Sequence, residues 1–464
     1  AYNYPYDLFP TTRGWVEKQR MKDLPEYAKA LPSDTEQFLS MDDAARCILE
    51  GKDSGRIWPH QSSAWFEQVS KDVLDSVRQA EQRIGPVRQV GANRNKEFDS
   101  TMVDLKILAN LALYHSRRAN AGVSYALFNR SKDLNALDDA ISHETSAVRA
   151  WEKLVEAAGD VYFDNLMMGR ESAGLSGHWR DELVELKEGL EKLQQERSRF
   201  GPDVTGEKPA IAHVPIRRAR PSHDLTIRAT VSPARRPSGG PKEPVAGVRV
   251  LYRSGQGEYR DIEMRQTEPY IYRAVIPGSE VKEALEYFIE ARDQSDARSR
   301  TNSISVSVTD DSEPPLLRHT PIARAAAANP LAVTAEVSDP AGIKWVRLHY
   351  RSVNQYEDYK TIEMTPTGQK NPPAVGRAGL YQAVVPAQDV VAKYDFMYFI
   401  EVMDNHGNGR IYPELQKQTP YIVVKLARQA DGGLERLGNE SCENHKGYAR
   451  RTRREIICQN HRDC

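Results

Sequence analysis

The chain contains 464 residues, of which 28% are charged and 39% hydrophobic, and its formal net charge is -1. A chain of this length exceeds what a single hydrophobic core supports, so we expect about three or four domains. The balanced charge excludes a global attraction to nucleic acid or anionic lipid, and a nucleic-acid partner is not expected. No apolar run approaches the roughly 18 residues needed to cross a bilayer, which predicts that the chain has no membrane span.

The first segment, residues 1–61, is rich in aromatic residues and proline but shows no convincing period. Tyr2, Tyr4, Tyr6 and Phe9 belong either to an arm that packs on another domain or to the edge of a domain missing from this chain. We favour the second interpretation. Cys47 has no recognisable partner in the sequence, and we expect it to be a small buried apolar residue.

Residues 62–200 have the apolar spacing of amphipathic helices. The first pattern begins at Ser62 and ends at Gly85-Pro86, the second covers about 96–128, and the third about 134–158. The first two include Trp65 and Leu108 on their apolar faces. In the fourth and clearest pattern the apolar residues recur at steps of four and three: Trp179, Leu183, Leu186, Leu190 and Leu193. Four helices that bury such faces together predict a helical bundle.

The strongest signal is an internal repeat within 208–426. Val248-Arg-Val-Leu-Tyr-Arg-Ser254 matches Val346-Arg-Leu-His-Tyr-Arg-Ser352, and five further segments pair in the same way. Alternating apolar residues in short runs between Pro and Gly are typical of antiparallel strands. The sequence predicts two tandem antiparallel β-sandwiches of immunoglobulin or fibronectin-III type, at 208–309 and 313–426, whose strands correspond one to one. With the bundle, this gives a multidomain α plus all-β fold class.

The run Asp404-Asn-His-Gly-Asn-Gly409 follows a long strand of the second module. We expect a hairpin turn there, because Asn and Gly adopt positive φ at little cost. The oxygen-rich side chains could instead hold a cation, although the spacing lacks the regular ligands and closing Glu of an EF-hand.

The tail, residues 427–464, differs in composition from the rest of the chain, with Gly432-Gly433 near its start and a basic run at 446–454. It contains two Cys-x-x-His pairs whose spacing is plausible for a tetrahedral zinc site: Cys442, His445, Cys458 and His461. Disulfides and a disordered or non-native tail are the alternatives, and we favour a tail without a metal. Elsewhere we expect no cofactor.

Several segments of the chain resemble parts of a known family. Asp104-Leu-Lys-Ile-Leu-Ala-Asn-Leu-Ala112, Ala158-Gly-Asp-Val-Tyr162 and Asp395-Phe-Met-Tyr-Phe-Ile-Glu-Val-Met-Asp404 are among the stretches concerned. They resemble the helical region and the terminal sandwich modules of large bacterial glycoside-hydrolase-like proteins, over about 62–426. The resemblance implies the non-catalytic C-terminal region of such a protein, because the family's catalytic barrel and its carboxylates have no counterpart here.

The sequence contains none of three common catalytic motifs: a zinc-protease helix, a nucleophile elbow or a phosphate loop. We expect the adjacent carboxylates Asp138 and Asp139 to lie in a solvated first helical turn, and His115 to be structural. The chain is therefore interpreted as an accessory, spacer or carbohydrate-binding region, and an enzyme activity is not expected for the chain alone. The alternative is a glycoside hydrolase whose site lies between the first 60 residues and the helices.

Aromatic side chains of the sandwiches are the candidates for carbohydrate binding. Tyrosines shared by both copies, such as Tyr287 and Tyr398, are explained by the common fold. The better candidates occur in the second copy alone: Trp345, Tyr356, Tyr394 and Tyr412. For each of them, packing within the module or against a neighbouring domain is the alternative.

The expected partners are a polysaccharide or an adjoining catalytic domain, and the expected location is extracellular or periplasmic. The sequence starts at Ala1 without a signal-peptide pattern. A start without Met suggests a processed chain or a piece of a longer one.

Overall fold

The computed structural model of the protein describes residues 23–32, 34–88, 96–167, 176–201, 206–234, 244–282, 284–354, 356–367, 376–415, 417 and 419–427. In this part of the chain a helical region precedes two mainly antiparallel β-sandwiches, each with one parallel strand pair, which confirms the predicted fold class. None of the described helices combines the length and the apolar character that crossing a membrane requires.

The helical region contains six helices within the described residues: α1 (Leu24–Tyr27), α2 (Met41–Glu50), α3 (Pro59–Arg88), α4 (Lys96–Ser131), α5 (Leu134–Ala158) and α6 (Trp179–Arg199). Two short strands, β1 (Leu166–Met167) and β2 (Ser176–Gly177), pair between α5 and α6.

The helix boundaries follow local signals. Asp133 caps α5 by accepting a hydrogen bond from the amide of Asn135, and His178 forms a capping box with Asp181 at the start of α6. Helix α3 continues beyond Gly85-Pro86, where the sequence pattern predicted its end. A proline removes a single backbone hydrogen bond, which the last turn of a helix can tolerate.

Helices α4, α5 and α6 share an apolar core around Tyr114, Trp151 and Leu154. The predicted apolar face of α6 is confirmed. Leu186 and Leu193 are buried, and Trp179, Leu183 and Leu190 are half-buried. The predicted faces of α3 and α4 were wrong at Trp65 and Leu108, which are exposed.

Helix α3 faces α4 with small polar residues instead. Ser63 and Ser70 are buried, and the Ser63 and Ser116 hydroxyl oxygens lie 3.2 Å apart. These small side chains let the backbones of α3 and α4 approach each other. The bulky Trp65 lies outside this contact, and 54% of its surface is exposed. Helices α1 and α2 also pack closely on α4, because Gly122 of α4 has no side chain. A Cβ there would lie 2.2 Å from the Met41 sulfur.

Module 1 contains ten strands in the described residues: β3 (Ala210–Ala212), β4 (Arg218–Ala219), β5 (Leu225–Ser232), β6 (Val245–Ser254), β7 (Arg260–Glu263), β8 (Arg265–Glu268), β9 (Ile271–Ile276), β10 (Leu285–Asp293), β11 (Arg298–Arg300) and β12 (Ile304–Val308). Module 2 contains ten as well: β13 (Leu316–Arg318), β14 (Arg324–Ala326), β15 (Leu331–Ser338), β16 (Ile343–Ser352), β17 (Lys360–Glu363), β18 (Thr365–Pro366), β19 (Gly379–Val385), β20 (Phe396–Asp404), β21 (Gly409–Tyr412) and β22 (Ile422–Ala427).

The two modules have the same sheet topology, which confirms the one-to-one correspondence of strands. In module 1 the sheets run β4-β12-β10-β6-β7, with β11 on β10, and β3-β5-β9-β8. In module 2 they run β14-β22-β20-β16-β17, with β21 on β20, and β13-β15-β19-β18. Each pair of sheets encloses its own core of alternating inward-facing residues.

Each module also contains the same buried hydrogen-bond arrangement between a tyrosine and a histidine. The Tyr287 hydroxyl lies 2.8 Å from His213 Nε2 and accepts a hydrogen bond from the amide of Ile216. Tyr398 makes the equivalent contacts with His319 at 2.7 Å and with Ile322. These two tyrosines therefore serve the common fold, as predicted.

Candidate functional site

The clearest concentration of buried polar contacts lies where the N-terminus of α5 meets module 1. Asp133, which is 2% exposed, accepts hydrogen bonds from the Val214 amide at 3.1 Å and from the Thr230 hydroxyl at 2.9 Å. The same Thr230 oxygen accepts from the Leu134 amide at 2.7 Å. The helix cap and the sandwich thus share one carboxylate, and a small cavity of about 130 Å³ adjoins it.

Two ion pairs flank this contact. Arg197 of α6 binds Asp138 at 2.5 Å and Glu268 of module 1 at 2.9 Å. Arg228 of module 1 makes a two-point contact with Asp139 at 3.0 and 2.6 Å. The hydrogen bond that Arg197 donates to Asp138 raises the pKa of Arg197, and the hydrogen bonds that Arg228 donates to Asp139 raise the pKa of Arg228. The expected solvated first helical turn was wrong for Asp138 and Asp139, because both lie in the second turn of α5 and pair with arginines at the contact with module 1.

Helix α2 is held on module 1 by an arginine. Arg217 donates to the carbonyl oxygens of Ile48 and Leu49 at 3.2 and 3.3 Å, where the last carbonyls of a helix lack internal partners. Gly51 ends the helix with φ of 68°, and a Cβ there would lie 2.5 Å from the Arg217 guanidinium carbon. The arginine thus adds a positive charge at the negative end of the helix dipole.

The described part of the opening segment packs on module 2. The Gly55 amide donates to Glu401 at 2.6 Å, and the Gln37 side chain donates to the Pro420 carbonyl at 3.2 Å. Lys344 also pairs with Asp53. Several residues of 34–57 therefore contact module 2, whereas Tyr2, Tyr4, Tyr6 and Phe9, for which the two interpretations were given, lie outside the described residues.

Glu401 links the opening segment to the surface of module 2. Its second oxygen lies 2.9 Å from Nε2 of His349, whose ring stacks on Phe399 with centroids 4.6 Å apart. Burial is the largest single effect and raises the pKa of Glu401, but the hydrogen bond and charge of His349, the Gly55 amide and the charge of Arg347 together lower it. Glu401 therefore stays ionised where it receives the Gly55 amide.

The two modules contact each other through the turn between β20 and β21. Asp404 accepts hydrogen bonds from the amides of His406 and Asn408 at 2.9 and 2.7 Å, and this confirms the predicted hairpin turn. The side chain of Asn408 then accepts from Arg218 of module 1 at 2.9 Å. The turn thus carries a direct bond between the modules.

A second buried polar group lies inside the helical region. Arg118 and Glu144 pair at 3.4 Å with 2% and 3% of their side chains exposed. Burial raises the pKa of Glu144 and lowers that of His115 well below its ordinary value. His115 is buried beside Tyr114 and Phe66, as expected for a structural histidine.

The structure does not bring the four predicted aromatic residues together. Tyr356 and Tyr394 lie near one end of strand β16, where the Val353 amide donates a hydrogen bond to the Asp395 carbonyl oxygen. Trp345 lies toward the other end and has the Arg347 guanidinium 3.9 Å above its ring.

These residues also differ in exposure. Tyr356 is 94% exposed, whereas Tyr394 is half-buried next to Lys393. Tyr412 packs against the core of module 2 and its hydroxyl lies 3.4 Å from the His319 carbonyl oxygen. Only Tyr356 among the four presents an open ring, so it is the candidate that binding experiments should address first.

The predicted zinc ligands Cys442, His445, Cys458 and His461 lie outside the described residues, and the zinc site stays a prediction. Cys47 is a free, buried cysteine, as expected. Burial raises the pKa of its thiol, which lowers its reactivity.

The interface residues were not found by sequence reasoning. Asp133 could have been identified as a helix cap, because it precedes the predicted helix, but its bonds to Val214 and Thr230 join positions about 80 to 100 residues apart. Arg217 and Arg218 lie next to a repeated His-x-Pro-Ile segment, which marks the start of each module without indicating a partner.

Comparisons with known proteins add little to these observations. No family model matches the chain, and no curated protein matches it. Among solved structures, the chain is similar to fibronectin(III)-like modules of Clostridium thermocellum CbhA, with 19% identity and a TM-score of 0.26. That similarity covers 49% of this chain and 100% of the other. The fold assignment rests on the strand order of the two modules.

Proposed function

We propose that this chain is a non-catalytic spacer in which the helical region and both sandwich modules form one rigid unit. Polar contacts cross every boundary: Asp133 joins α5 to module 1, Arg218 joins the modules, and Glu401 joins module 2 to the opening segment. Leaving a buried polar group without its partner costs about 1–3 kcal/mol, so these contacts oppose reorientation of the domains. The buried Asp133 carboxylate, shared by helix and sandwich, is the observation that carries the proposal.

The proposal predicts that the boundary between the modules resists proteolysis. Limited digestion of the full chain with endoproteinase Asp-N, which cuts on the amino side of aspartate, followed by mass spectrometry, should show slow cleavage at Asp310 and Asp311 in the linker 309–315. Arg218→Ala should accelerate that cleavage, because Asn408 loses its partner in module 1. The control is Glu336→Ala, an exposed position on β15. Equal cleavage of both variants and the unmodified chain would argue against a rigid boundary.

We further propose that the spacer belongs to a secreted bacterial glycoside-hydrolase-like protein and adjoins a catalytic domain. The resemblance of the helical and sandwich segments to that family supports this context. Polysaccharide is the proposed ligand, extracellular or periplasmic the proposed location, and the exposed ring of Tyr356 the proposed contact, since an exposed aromatic face can stack on a sugar.

Affinity electrophoresis on a panel of polysaccharides tests the ligand. We expect weak retention of the full chain and less retention of Tyr356→Ala, whose fold should be unchanged because the side chain is solvated. Val384→Ala, at an exposed position on β19, is the matched control. Identical mobility of all three proteins with every polysaccharide would remove the carbohydrate proposal but leave the spacer proposal intact.

The geometry does not favour the hydrolase alternative. Glycoside hydrolysis uses two carboxyl groups about 5 to 9.5 Å apart across a cleft. Among the described helical residues, the two buried carboxylates are already engaged: Asp133 in the interface and Glu144 with Arg118. A turnover assay on the same glycan panel checks this expectation.

A further inference from the structure

Side chains with metal-ligating atoms converge at the junction between the two modules. Asp311 of the linker lies beside Asp404 and His406 of the β20–β21 turn, and one ligand atom from each lies within 4.8 Å of the other two. His406 Nδ1 is 2.9 Å from an Asp311 carboxylate oxygen. The 2.9 Å separation matches neighbouring ligands on one ion, since metal–ligand bonds of about 2.0–2.2 Å place adjacent donors about 3 Å apart.

A buried carboxylate faces the same cluster. Asp339, at the end of β15, is 4% exposed, and one of its oxygens accepts from the Ala341 amide at 2.7 Å. Its other oxygen receives no hydrogen bond from the residues that the structure describes. The Asn405 side chain of the β20–β21 turn donates to the Ala341 carbonyl oxygen at 2.8 Å, which holds the Asp339 loop against that turn. The second Asp339 oxygen is therefore available to a cation, which would offset the cost of burying the carboxylate charge.

Comparison with module 1 separates this cluster from the requirements of the fold. Asp293 forms the same turn in module 1, where it accepts hydrogen bonds from the amides of Ser295 and Ala297. The positions of His406, Asn408 and Asp339 are occupied there by Ser295, Ala297 and Pro233. The turn therefore needs only the aspartate, and the additional imidazole and carboxylate ligands occur in module 2, after the linker.

We propose that Asp311, Asp404 and His406 bind a divalent first-row transition-metal cation, with Asp339 as a further carboxylate of the site. An imidazole nitrogen among carboxylates favours Mn²⁺ or Zn²⁺ over Ca²⁺, which prefers oxygen ligands alone. Asp311 and His406 are partly exposed, so water can complete the coordination. The cation would join the linker to module 2 and neutralise the cluster beside Arg218.

The inference that the cation helps to fix the orientation of the modules rests on the proposed spacer function. The inference that the cation binds does not. Manganese is the suitable probe, because thiolate ligands such as those in the tail select zinc and not manganese. Isothermal titration of the chelator-treated full chain with MnCl₂ should show one site. His406→Ser introduces the residue of module 1, and Asp339→Asn removes the buried charge. Each should weaken Mn²⁺ binding at least tenfold.

Asp296→Asn, in the corresponding turn of module 1, is the control and should bind Mn²⁺ like the unmodified chain. Circular dichroism in the presence of chelator checks that each variant is folded, and the proteolysis of the linker is measured separately. Absence of Mn²⁺ binding by the unmodified chain, or equal affinity of His406→Ser, would show that Asp311 and His406 form an ion pair only and would overturn the proposal.

Discussion

Removing the Asp133 carboxylate should uncouple the helical region from module 1. In Asp133→Ala, α5 loses its cap, which contributes about 1 kcal/mol. The Val214 amide and the Thr230 hydroxyl also lose a charged acceptor, and such hydrogen bonds contribute about 1.5–3 kcal/mol each. The neighbouring cavity of about 130 Å³ can admit water, so we take the lower figures and expect a loss of about 4 kcal/mol.

Asp133→Asn provides a graded comparison. The amide retains one oxygen for the cap but turns a donor toward the Val214 amide, so we expect a loss of about 2 kcal/mol. Asp160→Ala is the matched control, because that side chain is fully exposed, and it should change stability by less than about 0.5 kcal/mol.

Native-state hydrogen exchange of the full chain resolves these effects locally. Protection of the Leu134 and Val214 amides should fall strongly in Asp133→Ala, less in Asp133→Asn, and remain unchanged in Asp160→Ala. Urea unfolding followed by circular dichroism should give the same order of stability. If Asp133→Ala lost no more protection than Asp160→Ala, the shared carboxylate would not join the two domains and the reasoning would be refuted.

Two further predictions concern buried groups. Tyr287→Phe and Tyr398→Phe should each destabilise their module by about 1–2 kcal/mol in thermal unfolding, because a histidine nitrogen and a backbone amide lose their partner; no change in either variant would contradict the role of these hydroxyls. His115 should make stability fall as the pH drops below its ordinary pKa of 6.5, because burial lowers its folded pKa and unfolding then takes up a proton. The slope should be up to about 1.4 kcal/mol per pH unit, and urea unfolding at several pH values should show a smaller slope for His115→Gln. An unchanged slope in that variant would contradict the buried neutral state of His115.

Helices and strands could be predicted from the sequence where the apolar period agrees with residues that begin or end an element. Helix α5 begins and ends at the predicted residues because Asp133 caps it and Gly159 follows it. The repeat allowed the strands of both modules to be matched before their pairing was known. Trp65 was misplaced because its hydrophobicity suggested a buried face, whereas the contact with α4 uses serines.

The contacts between domains could not be predicted in the same way. Arg218 and Asn408 lie 190 positions apart, and neither has a local pattern that indicates the other. The cluster at the module junction was recognised only in part, since the turn at Asp404 was considered for a cation but Asp311 comes from the linker and Asp339 from another strand. Such sites depend on how the domains are placed, and local periodicity carries no information about that.

Distance measurement across the whole chain tests the rigid-spacer proposal most directly. Spin labels introduced by non-natural amino acids at Val184 on α6 and Val384 on β19, both exposed, leave the native cysteines unchanged. Double electron–electron resonance should then give one narrow distance distribution for the unmodified interfaces. The distribution should broaden when Asp133→Ala and Arg218→Ala are combined. A broad or multimodal distribution in the chain with intact interfaces would contradict the account.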